Sequence, residues 1–75
     1  MRALTERARL RQELADLQTR LDAFEQAHHM LSADFSSRFH AGELGDDADF
    51  FQWSAFHDMA QALRRRLHDF GSDAA

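Results

Sequence analysis

From Leu10 to Leu31 the chain keeps one apolar stripe: Leu10, Leu14, Leu17, Leu21, Phe24 and Leu31, with His28 in the remaining slot. The steps alternate between four and three. That is the heptad seam of a helix that packs on other helices. In a strand, successive side chains point to opposite faces, so this spacing would scatter the leucines over both. The available residues exclude that alternative as well. There is no Val, Ile or Pro, and only Thr5 and Thr19 are β-branched. Ala, Leu, Arg, Glu and Gln dominate, and these are good helix formers. The sequence predicts an all-α chain.

A second apolar stripe follows: Trp53, Phe56, Ala60, Leu63, Leu67 and Phe70, flanked by Phe50 and His57. The two stripes predict an antiparallel helical hairpin, long helix, short middle helix, long helix, with coiled-coil-like heptads. The expected boundaries are a helix over about 3–31, a short helix over 32–40, a corner at 41–47, a helix over 48–70 and a tail at 71–75, all in a single domain. Thr5 or residues upstream of it start the first helix. Ser32 is expected to cap the short helix, with Asp34 in its first turn. One unbroken helix to His40 competes with that break, because Leu31, Phe35 and Phe39 keep i, i+4 spacing. At the corner, Gly42 and Gly45 permit left-handed backbone, Leu44 plugs the underside, and Asp46 or Asp47 caps the last helix. Gly71 is expected to end it.

Seventy-five residues with no Cys make a small core and no disulfide, so another polypeptide is the default source of added stability. With Leu10 at heptad position d, a parallel dimer would pair Glu6 with Arg11, Glu13 with Gln18 and Arg20 with Glu25. None of these pairs is repulsive. A homodimer through the seam Leu10, Leu14, Leu17, Leu21, Phe24, His28 and Leu31 is therefore permitted, and the second helix of the same chain could fill that seam instead. At about 100° per residue, Phe51, Ala55, Met59 and Ala62 fall on the opposite side of the last helix. A surface helix needs one apolar face; two point to a neighbour outside the chain. Phe51, beside Met59, is the expected anchor, since Phe and Met are enriched in interface cores.

Charge is distributed unevenly. Antiparallel folding gathers Arg2, Arg7, Arg9, Arg11, Arg64, Arg65 and Arg66 at one pole, and Asp34, Glu43, Asp46, Asp47 and Asp49 at the other. Both poles can be solvated ends or can steer a partner of complementary charge. A net charge of −4 argues against general nucleic-acid binding, leaving a weak contact through Arg64, Arg65 and Arg66 as the nucleic-acid reading. No apolar run spans a membrane and no signal pattern opens the chain, so a cytoplasmic protein is the simplest expectation.

Nothing in the sequence carries catalytic chemistry. Ser36 and Ser37 have no expected base beside them, and Asp46, Asp47 and Asp49 serve as caps. The glycines lack the pattern and the Lys of a phosphate loop. Adjacent His28 and His29 point apart on a helix, and only His57 could approach His28 across the hairpin. Hydrogen-bonded histidines are preferred over metal ligands. The expectation is no enzyme, no metal and no cofactor.

Around the corner, Met30-Leu31-Ser32-Ala33-Asp34-Phe35, Arg38-Phe39, Gly42-Glu43-Leu44-Gly45-Asp46-Asp47 and Asp49-Phe50-Phe51-Gln52-Trp53 resemble a group of small bacterial and archaeal antitoxin-like proteins encoded beside a small toxin. Those proteins tend to carry Gly before the Met-Ser segment, where this chain has His29. The resemblance implies a non-catalytic protein that binds and neutralises a cognate toxin; the outer stripe Phe51, Ala55, Met59 and Ala62, with Asp46 and Asp47 of the acidic corner, is the face expected to engage it. A self-contained dimeric scaffold or regulator, or a DNA-binding accessory using the arginine pole, are the alternatives.

Overall fold

The seam leucines close on the chain's own last helix. In the computed structural model, which describes the backbone of residues 2–74 and the side chains of residues 6–69, helix α1 spans Arg2–His28, α2 spans Ser32–His40 and α3 spans Ala48–Ala74. The end of α1 meets the start of α3, where Phe24 stacks on Trp53 at 5.6 Å between ring centroids. Farther along, Arg64 donates to Gln18 and Arg66 lies 4.0 Å from Glu6. The two long helices therefore run antiparallel, and the molecule is a rod of 45 × 20 × 17 Å.

Leu10, Leu17, Leu21, Phe35, Trp53 and Ala60 are buried within this one chain. The seam drawn from the sequence is thus an intramolecular one. Several of the side groups that could have paired across a parallel dimer have contacts within the chain. Gln18 meets Arg64 and Asp22, Arg20 lies over the Phe56 ring, and Glu6 meets Arg9 and Arg66. Leu31 does not belong to the seam: it is 64% exposed, because α1 stops at His28 and the chain turns away.

Trp53 joins the three helices. Phe35 of α2 covers one side of the indole, with centroids 3.9 Å apart and planes 4° from parallel. Phe24 and His28 of α1 also stack on it. Its N–H donates to Ser32 Oγ at 2.9 Å in a buried contact, so the polar tip of a fully buried side chain is satisfied, as burial requires. Ser32 is therefore the first residue of α2 and not its capping side chain. The cap position is Leu31, which makes no side-chain cap bond. Glu25 serves instead, accepting from the Ser32 N–H at 2.7 Å where the helix dipole favours a carboxylate.

The break between α1 and α2 is sharp. His29 takes φ 54°, and Gly42, after α2, takes φ 77°. Met30 N–H reaches back to the Glu25 carbonyl at 3.2 Å, and Glu43 N–H to the Arg38 carbonyl at 3.0 Å. Both ends are Schellman-type caps built on a left-handed residue. Gly45 has no such φ, so only one of the two corner glycines uses its freedom. Leu44 packs against the core from beneath the corner. Asp47 caps α3, its carboxylate accepting from Asp49 N–H at 2.9 Å. Gly71 does not end α3, which continues to Ala74. A glycine within a helix costs only about 1 kcal/mol, and no Pro follows to force a stop. Phe70, expected to end the inner stripe, lies outside the described side chains.

Candidate interaction face

With Trp53, Ala60 and the inner edges of Phe56 and Leu63 turned to the core, the opposite side of α3 is left largely to solvent. Phe51 is 57% exposed and Met59 51%, and Ala55 and Ala62 between and beyond them are exposed as well. The four residues expected to form an outer stripe thus sit together in solvent. Scattered apolar side chains on a surface are ordinary; two large ones in line on one helix are a patch.

The two ends of the stripe differ. Phe51 stands edge-on against Phe39 of α2, with centroids 5.5 Å apart, and so faces the corner. There Glu43, Asp46, Asp47 and Asp49 are all exposed. Met59 and Ala62 instead line a groove of ≈ 550 Å³ between α3 and α1, together with Phe56, Leu63, Leu17, Glu13, Asp16, Arg20 and Arg66. Sequence reasoning placed Met59 and Ala62 on the outer side of α3 but did not anticipate the groove, its Phe56 and Leu63 or its charged rim. The signal was present in the heptad, because Glu13 and Arg20 share position g and fall on one flank of the seam.

The other flank carries a smaller, more polar groove of ≈ 270 Å³ lined by Gln18, Glu25, Ser32, His57 and Arg64 among others. Buried His57 has no hydrogen-bond partner for Nδ1 among the described residues. His28 lies in a different setting, stacked on Trp53 and edge-on to Phe50, with Nε2 4.0 Å from Asp49 Oδ2. Among the described residues no three His, Asp or Glu side chains converge as metal ligands. Arg64 and Arg66 reach α1 on opposite flanks, toward Gln18 and toward Glu6. Arg64, Arg65 and Arg66 therefore do not present one row of charges. No described helix is long and apolar enough to cross a membrane.

The fold and the face together define a small three-helix hairpin with one wetted apolar stripe ending in an acidic corner. No protein-family model, curated protein or solved structure matches the chain.

Proposed function

We propose that this protein is a non-catalytic binding module, cytoplasmic and antitoxin-like, that engages a cognate protein partner through the outer stripe of α3 and the acidic corner. One observation carries the reading: Phe51 and Met59 stand more than half exposed on one helix face while the core closes without them. Phe51 is the anchor. It stands edge-on against Phe39, and Phe and Met are enriched in the cores of protein interfaces. Glu43, Asp46 and Asp47 beside it favour a partner with a basic face, which such a rim steers into place. A toxin acting on nucleic acid presents that kind of surface, and covering it would block access to phosphates.

Co-expression with the product of the adjacent gene tests this. The expected result is a complex that survives purification, weakens at least about tenfold with Phe51→Asp and loses salt sensitivity with Asp46→Arg. A complex unaffected by both substitutions, or no complex, overturns the reading. Dimerisation belongs to the same proposal. Because Leu10, Leu17 and Leu21 are used internally, a dimer must form on another surface.

A further inference from the structure

We propose that the groove around Met59 seats a second copy of this chain, docked antiparallel about a two-fold axis that passes at Met59. The inference deepens the binding-module reading, resting on the outer stripe being an interface, and divides the stripe between two occupants.

Electrostatics decides the division. The corner end carries a single sign at Glu43, Asp46 and Asp47, so two copies would repel there. The groove end carries both signs in order along α1: Glu13 and Asp16, then Arg20 one turn on. In an isologous dimer each surface meets itself reversed. Reversal sets Glu13 opposite Arg20 of the second copy and Arg20 opposite its Glu13, two pairs of opposite sign against one like-charge approach, that of the two Asp16 near the axis. The sizes agree with the charges. Reversing α3 about Met59 sets Phe56 against Ala62 of the second copy and Ala55 against its Leu63, large on small, as close packing requires. The two reversals fall at nearly the same level, because Arg20 of α1 lies over the Phe56 ring of α3. The Phe51 end and the acidic corner stay open for a different, basic partner.

The test uses the full chain alone, so its result is independent of any toxin. Sedimentation velocity should give the mass of two chains. Met59→Asp should raise the dissociation constant by roughly a hundredfold. Arg20→Glu should raise it by about tenfold, and Glu13→Arg combined with Arg20→Glu should recover most of that loss. Since the chain contains no Cys, Met59→Cys should cross-link fully under mild oxidation and Phe51→Cys should not. Circular dichroism melts show whether each variant keeps its fold, and these side chains are exposed or at the rim. A single-chain mass at every concentration, a dimer indifferent to Met59→Asp, or Phe51→Cys cross-linking in preference to Met59→Cys would overturn the proposal. A dimer that binds no toxin leaves this inference standing and removes the other reading.

Discussion

His29 and Gly42 do the same job with unequal means. Each ends a helix in the left-handed region, which glycine enters without strain and a residue with a Cβ enters at about 1–2 kcal/mol. His29→Gly should therefore raise stability by about 0.5–1 kcal/mol, the strain relief being partly offset by glycine's greater freedom in the unfolded chain. A thermal melt would show this as a rise of several degrees. Gly42→Ala should cost about 1–2 kcal/mol, although a Cβ there would meet nothing within 4 Å. Gly45→Ala, with equal space and no positive φ, should be neutral or slightly stabilising. Ser32→Ala should cost about 1–3 kcal/mol by leaving the buried Trp53 N–H without an acceptor. If denaturant melts of Ser32→Ala and the native chain coincide, Trp53 is not held as described.

At the scale of elements, much of the architecture was legible, and the reason is specific. The alternating steps from Leu10 to Phe24 and the Trp53–Leu67 stripe are long enough for the helical period to stand out. The left-handed Gly42 and the carboxylate of Asp47 are local signals that need no tertiary context. Leu31 misled because it continues the heptad in sequence while the backbone has already turned at His29. Ser32 misled because its hydroxyl is claimed by Trp53, 21 residues away, and its capping role passes to Glu25, a partner that no local rule supplies. These corrections make a comparison. Leu31→Ser should change stability by less than about 0.5 kcal/mol, whereas Leu21→Ala, at 2% exposure, should cost about 2–5 kcal/mol. Equal losses in the two urea titrations would restore Leu31 to the seam.

For the whole molecule, the decisive fact is an asymmetry of burial. α1 spends its one apolar stripe inside the hairpin, while α3 spends one stripe inside and keeps another outside. The sequence showed that second stripe, because Phe51, Ala55, Met59 and Ala62 fall on one side at helical spacing. It could not show that the stripe divides into a corner end and a groove end, since that depends on which flank of α1 lies beside it. The groove end is where one measurement speaks most directly. Methyl-labelled methionine gives separate signals for Met30, packed against the core, and for Met59, half exposed on the outer stripe. Followed by NMR as the protein is concentrated, the Met59 methyl signal should move and broaden while that of Met30 stays fixed. A Met59 signal that keeps one sharp, unchanging position from dilute to concentrated solution would mean that the stripe is only wetted surface.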